Sequence, residues 1–151
     1  MEKKSLTANL VEGLNKEITS QDRYRASLHF LDWIGCAFIG SVSGTGKVFY
    51  DFSISSMKGN AAILNGELCP PEVASFVNGS LGNIFEMDDI HRTSILHPGP
   101  VIIPAALAAA QEYSSNSETF LNSIICGYEA MIRLGESIGK EHYKFFHNTA
   151  T

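Results

Sequence analysis

The stretch from Pro70 to Ala110 constrains the fold most, because two apolar segments at helical spacing, each opened by prolines, enclose a loop crowded with charged and hydroxyl groups. Pro70-Pro71-Glu72 suits a helix start, since proline tolerates the first turn and a carboxylate complements the dipole there. Val73, Phe76, Val77, Leu81, Ile84 and Phe85 carry that helix straight towards Glu86-Met87-Asp88-Asp89. Beyond the loop, Pro98-Gly99-Pro100 opens an apolar helix that runs through Ala110, rich in alanine at positions where helices approach closely.

The flanking segments also read as helices. Leu6, Leu10, Val11 and Leu14 give an amphipathic helix from about Ser5 to Asn15. Thr19-x-x-Asp22 has the form of a capping box, so a second helix is expected there, with Tyr24, Leu28, Leu31, Ile34, Gly35 and Phe38 on its core face and Gly40 closing it in the left-handed conformation. Ser41 to Gly46 reads as a loop, with a short helix after it around Val48, Phe49 and Phe52. Ala61 to Gly66 suggests a short extended stretch ending in an Asn-Gly turn. Ser115-x-x-Glu118 or Ser117 caps a last long helix striped by Phe120, Leu121, Ile124, Ile125, Tyr128, Met131 and Ile132. The predicted fold class is all-α, a multi-helix domain with at most a short extended hairpin.

A chain of 151 residues with 44% hydrophobic content suffices for one domain with a real core. A net charge of -5 without clustered Lys and Arg argues against nucleic-acid or polybasic membrane binding. Met1-Glu-Lys-Lys is not followed by the apolar run of a signal peptide, and Val101 to Ala110 is too short to cross a bilayer and is interrupted by Pro104. Cys36, Cys69 and Cys126 are widely spaced in apolar surroundings, which suits reduced, buried thiols. A cytoplasmic location is expected.

Glu86 to Gly99 concentrates three carboxylates, two imidazoles, a guanidinium and two hydroxyls between rigid elements, so it is the candidate site. Asp88 and Asp89 as mere helix-end solvation is the plainer reading. Their proximity would also raise the pKa of one of them, a useful property for proton transfer. A metal held by Asp88 or Asp89 with His91 and His97 is a third reading, although the spacing matches no compact zinc pattern. Ser43-Gly-Thr-Gly-Lys47 is not a phosphate loop, because Ser41 stands where the first glycine should be and Val48 where a magnesium-binding hydroxyl should follow. His29, inside the second helix, reads as a core or boundary histidine. His147 lies between two aromatics and Asn148-Thr149, which gathers imidazole, amide and hydroxyl groups.

Three blocks together resemble the MmgE/PrpD family. They are Ala74-Ser-Phe-Val-Asn-Gly79 leading into Glu86-x-Asp-Asp-x-His91, then His97-Pro-Gly-Pro-Val-Ile-Ile-Pro-Ala-Ala-Leu-Ala108, then Gly127-Tyr-Glu-x-x-x-Arg133 with the closing Phe146-His-x-Thr149. The resemblance implies a helical domain with a smaller lid domain, usually in homodimers, and lyase or isomerase activity on small polycarboxylates without a cofactor: methylcitrate dehydration, cis-aconitate decarboxylation or iminodisuccinate epimerisation. It gives Asp88, Asp89 and His97 the catalytic roles and assigns substrate contacts to Glu86, His91, Arg92, Thr93 and His147. Dehydratases and decarboxylases of the family commonly show Asp-x-Asp-Asp-Thr, whereas Glu86 and Ile90 occupy the first and last of those positions here. The Glu-x-Asp-Asp-x-His-Arg form is closer to the epimerase-like branch, in which His91 and Arg92 would hold carboxylates.

Members of the family are considerably longer, so residues 1–151 are expected to form the N-terminal portion of the helical domain. Without the lid and later site residues, the chain alone is expected to be inactive. The expected partners are a small polycarboxylate and either a second copy or a missing C-terminal half. Two alternatives stay open: an inactive helical association module, and a metal-dependent hydrolase.

Overall fold

The protein is described from a computed structural model that covers residues 4–54, 58–65 and 67–150. Among the described residues there are six α-helices and one two-stranded hairpin: α1 (Leu6–Leu14), α2 (Ser20–Ser41), α3 (Gly44–Ile54), β1 (Ala61–Ala62), β2 (Leu68–Cys69), α4 (Pro71–Asn83), α5 (Gly99–Glu112) and α6 (Ser117–Ile138). Two 3-10 turns, His142–Lys144 and Asn148–Ala150, follow α6. The all-α reading holds.

Local chemistry sets most of the helix starts. The Ser5 hydroxyl accepts from the Ala8 amide at 3.1 Å to cap α1. At α2 the capping box forms in both directions, with the Asp22 amide donating to Thr19 Oγ1 at 3.2 Å and the Thr19 amide donating to Asp22 Oδ2 at 3.0 Å. The cap of α6 is neither Ser115 nor Ser117 but Asn116, whose side chain accepts from the Thr119 amide at 2.8 Å. In that polar run the residue with a reachable third amide wins.

The expected Ser41–Gly46 loop shrinks to Val42 and Ser43. Ser43 Oγ accepts from the Gly46 amide at 2.9 Å and donates to the Gly40 carbonyl at 2.7 Å, so α3 starts at Gly44, inside the loop that composition suggests. Gly40 does not close α2 in a left-handed conformation; it lies within the helix. A Cβ there would stand 2.0 Å from the Leu81 carbonyl oxygen of α4, so its role is to let two helix backbones meet.

The face of α2 turned to the core also differs from expectation. Ala26, Trp33, Ala37 and Gly40 are buried, while Tyr24, Leu28, Leu31 and Phe38 remain 47 to 65% exposed. Their stripe forms a second apolar face, with open space around Gly35. Helices α2, α4, α5 and α6 enclose a core built on Trp33, Ala37, Val77, Leu81, Ile103, Phe120 and Ile124. Phe76 and Phe85, expected on the core face of α4, are half exposed, and Phe76 meets Phe49 and Phe52 of α3 edge to face.

The hairpin pairs Ala61 with Cys69 and Ala62 with Leu68. Strands this short are not stable alone. Buried Asn78 of α4 holds this pair: its Oδ1 accepts from the Leu64 amide at 2.8 Å and its Nδ2 donates to the Ala62 carbonyl at 2.9 Å. Gln111 of α5 accepts from the Ala62 amide, and the Tyr50 hydroxyl donates to the Leu64 carbonyl. Asn65 has a positive φ of 126°, as a tight turn requires, while Gly66 of the expected Asn-Gly turn lies outside the described residues. Cys36 and Cys69 are buried, Cys126 is half-buried, and all three are free thiols. Among the described residues no single helix is long and apolar enough to cross a membrane.

Candidate active site

The acidic loop runs from the end of α4 to the start of α5, and its ends carry backbone strain. Glu86 (φ 50°) and Ile95 (φ 51°) are both left-handed, a conformation that costs an L-residue roughly 1–2 kcal/mol and is rare for a β-branched side chain. An isolated bridge between His91 and Leu96 closes the loop, with the His91 amide donating to the Leu96 carbonyl at 2.9 Å. Leu96 is fully buried beneath it and anchors the strained turn.

Asp88 and Asp89 have different partners, on opposite sides of the loop. Asp88 is buried, with its side chain only 2% exposed, and His97 Nδ1 lies 3.0 Å from its Oδ2. That nitrogen is not aligned on the carboxylate as a hydrogen-bond donor or acceptor, so the two groups form a close contact and not a well-formed hydrogen bond. Asn83 Nδ2 adds long contacts of 3.3 and 3.4 Å to the same carboxylate from the last turn of α4.

The segment after α6 folds back on this pair. Asn148 is buried and donates to the Ser94 carbonyl, while Thr149 Oγ1 accepts from the His97 backbone amide at 2.9 Å. The Thr149 amide in turn reaches His147 Nδ1 at 3.3 Å, and the His147 ring lies 6.0 Å from that of His97. These residues border a cleft of about 430 Å³ into which Ser80, Asn83, Glu86, His97, His147 and Thr149 converge over an apolar wall of Pro100 and Val101.

Asp89 faces the opposite side of the loop. Its Oδ1 accepts from the Gly99 amide at 2.8 Å, at the first residue of α5, and its Oδ2 accepts from the Tyr128 hydroxyl of α6 at 2.8 Å. His29 Nδ1 of α2 stands 3.4 Å from the same oxygen, a charge contact longer than a good hydrogen bond. Burial pushes the Asp89 carboxyl up, but the close His29 imidazole and the hydrogen bonds from Tyr128 and Gly99 outweigh it and hold the group below the ordinary 3.8. The upward shift expected from two adjacent acids is therefore not found at Asp89, because the chain separates the carboxylates and gives this one two hydrogen-bond donors and a nearby imidazole. His29 is raised above the ordinary 6.5, chiefly by its bond to Asp89 and against some desolvation. The Tyr128 hydroxyl is raised by burial and by the facing Asp89 charge, so it stays a donor.

Of the residues singled out from sequence, Glu86, His97 and His147 line the cleft, and Asp88 lies buried against His97. Asp89 lines neither cleft; its partners His29 and Tyr128 line a second cleft of about 300 Å³ between α2 and α6, beside the surface pair Glu129–Arg133. His91 is turned into its own loop, with Nδ1 2.8 Å from the Ser94 hydroxyl, and Arg92 and Thr93 stand exposed at the tip, outside the lining of either cleft. Among the described residues no group of three or more His, Cys, Asp or Glu is arranged to hold a metal ion.

Sequence reasoning passes over Asn83 and Ser80, whose signal is a polar pair at helical spacing on the flank of α4 that carries Phe76. It also sets His29 aside as a core or boundary residue, and no local pattern links it to Asp89, sixty residues away.

Comparison with known proteins agrees with this architecture. The cis-aconitate decarboxylase-like protein oryM of Aspergillus oryzae is 28% identical over 126 residues, which cover 76% of this chain and 26% of that protein. The chain thus spans about a quarter of the curated relative it matches. The family model for the MmgE/PrpD N-terminal domain matches residues 6–151, nearly the entire chain, and the chain accordingly belongs to the MmgE/PrpD family.

Proposed function

We propose that this protein serves a lyase or isomerase reaction on a small polycarboxylate, with proton transfer at a carbon next to a carboxylate, in the cleft bordered by α4, the start of α5 and the His147 segment. The observation that carries the reading is the buried Asp88 held 3.0 Å from His97 at the edge of a cleft that also receives Glu86 and His147. Asp88 orients the His97 ring and stabilises it when charged, so the imidazole can take a proton from substrate and return it. The electrons of the broken C–H bond pass to the substrate as an enolate-like anion. His147, Thr149 and Ser80 are placed to contact substrate oxygens, and Glu86 supplies a second acid at the rim.

No cofactor is needed for this chemistry in the proposal, but stabilising the anion requires more positive charge than two imidazoles provide. The relative is about four times longer than its matched segment. We assign the missing cationic groups and the exclusion of water to additional polypeptide, so the reaction belongs to the assembled protein and this chain supplies part of its site. Membership of the family and the relative's name favour a lyase; the Glu86 and Ile90 positions favour the epimerase-like branch.

Calorimetric titration with cis-aconitate tests the placement. His97→Gln and His147→Gln should each weaken binding about tenfold, the scale of one lost charge-assisted contact, while Arg92→Gln at the loop tip should leave it unchanged. The reverse pattern would move the site to the loop tip.

A second reading, association, is favoured by the exposed α2 stripe of Tyr24, Leu28, Leu31 and Phe38. Such a face is covered in most folded assemblies. Sedimentation that shows concentration-dependent association, abolished by Leu31→Glu, would support it. A monomer at all concentrations would count against it.

A further inference from the structure

We propose that Tyr128 is a positioning residue of the candidate active site: through Asp89 and the Gly99 amide it sets the contact between Asp88 and His97 on the opposite side of the loop. The inference rests on the reading of the Asp88–His97 cleft as the active site, although Tyr128 and His29 line a different cleft.

The geometry of the loop makes the connection. Asp89 follows Asp88 directly, and Gly99 lies two residues after His97. The bond from the Gly99 amide to Asp89 Oδ1, 2.8 Å, therefore ties together the two chain ends that carry the pair. Everything between them, including the strained Ile95 turn, is the closed loop. A carboxylate bonded to one amide alone can still rotate about its Cα–Cβ bond. The Tyr128 hydroxyl fixes the second oxygen at 2.8 Å from α6, and His29 approaches that oxygen from α2. Asp89 is thus held from three helices at once, and the register of Asp88 against His97 follows from it.

Two further observations fit a clamp and not a chance contact. A Cβ at Gly99 would lie 2.5 Å from Asp89 Oδ1 and 3.3 Å from the Tyr128 hydroxyl, so the site admits only glycine without rearrangement. The His29 ring packs on the Tyr128 ring at 5.2 Å between centroids, which limits how far either arm can swing. Tyr128 and His29 touch neither the cleft nor its substrate; they act through Asp89.

The test reads the His97 imidazole directly, in unliganded isotope-labelled protein by NMR, after circular dichroism has shown each variant folded. Tyr128→Phe, which removes one hydroxyl and keeps the ring, should displace the His97 Cε1–H signal by more than its linewidth. In an Asp89→Asn background the same substitution should add no further displacement, because both changes act through one carboxylate. His29→Ala should displace the signal too, and His29→Asn, which returns an N–H near the Nδ1 position, should restore it. The His29 pair decides the matter if Tyr128→Phe fails to fold. An unmoved His97 signal in folded variants, or a Tyr128→Phe displacement of equal size with and without Asp89, would overturn the inference. Because no ligand is used, the clamp is tested even in a protein that binds no polycarboxylate.

Discussion

Replacing His97 by alanine should destabilise the protein far more when Asp88 is present than when it is not. Asp88 is 2% exposed at its side chain, and the His97 imidazole stands 3.0 Å from its carboxylate. The Asn83 amide at 3.3 and 3.4 Å is too distant to replace it. Removing one member of a buried pair costs about 3–5 kcal/mol, most of it from the uncompensated charge left behind. His97 keeps 21% exposure, so water can enter the vacated space, and the lower end, about 3 kcal/mol, is the expected value. In an Asp88→Asn background no charge is stranded, and the same change should cost only about 1 kcal/mol, the worth of lost packing and one polar contact. Urea unfolding of the four proteins of this cycle at neutral pH gives the coupling, expected near 2 kcal/mol. Additivity within about 0.5 kcal/mol would refute the claim that the two side chains form one electrostatic unit.

Three other expectations follow from particular contacts. The depressed Asp89 carboxyl contributes stability above its unfolded value of 3.8 that is lost as pH falls through its folded value, and the raised His29 contributes stability below 6.5 that is lost as pH rises through its folded value. The urea midpoint should therefore crest between those values, and Asp89→Asn should flatten both shoulders; a wild-type-like profile in that variant would contradict the assignment. Asn78→Ala removes both bonds to the hairpin and leaves two backbone groups unpaired, so thermal unfolding should show a loss of about 2–3 kcal/mol, with faster amide exchange at Leu64; an unchanged melting temperature would show the hairpin held by packing alone. Burial raises the Cys36 and Cys69 thiols, so a thiol reagent at neutral pH should modify half-buried Cys126 first, and early modification of Cys69 would place the hairpin elsewhere.

How far the sequence discloses this fold is seen best in α2. Its existence and its start at the Thr19 capping box are written in adjacent residues, and both are found. Its orientation is not, because the helix carries two apolar faces. One has the large residues Tyr24, Leu28, Leu31 and Phe38, which dominate any periodicity. The other has Ala26, Trp33, Ala37 and Gly40, and the small members let α2 approach α4 until Gly40 meets the Leu81 carbonyl. Backbone approach of this kind is a property of two helices and cannot be read from one.

The candidate site shows the same division. The cluster from Glu86 to His97 is legible because so many chemically active groups in one loop are unusual, and His147 because an imidazole beside Asn148 and Thr149 is. What the loop does with them is not legible. Asp88 and Asp89 are equivalent in sequence, and only the fold sends one to His97 and the other to Tyr128 and Gly99. Asn148 and Thr149 acquire their roles by bonding to Ser94 and His97, more than fifty residues earlier, a pairing set by the return of the chain after α6.

The most direct test of the central claim is a titration of ¹³C-histidine-labelled protein with cis-aconitate, followed by NMR at all five imidazoles. The account expects saturable shifts at His97 and His147, with His91 and His142 unmoved. Shifts confined to His91, or none at a concentration of polycarboxylate that saturates calorimetric binding, would contradict the placement of the site between Asp88–His97 and the His147 segment.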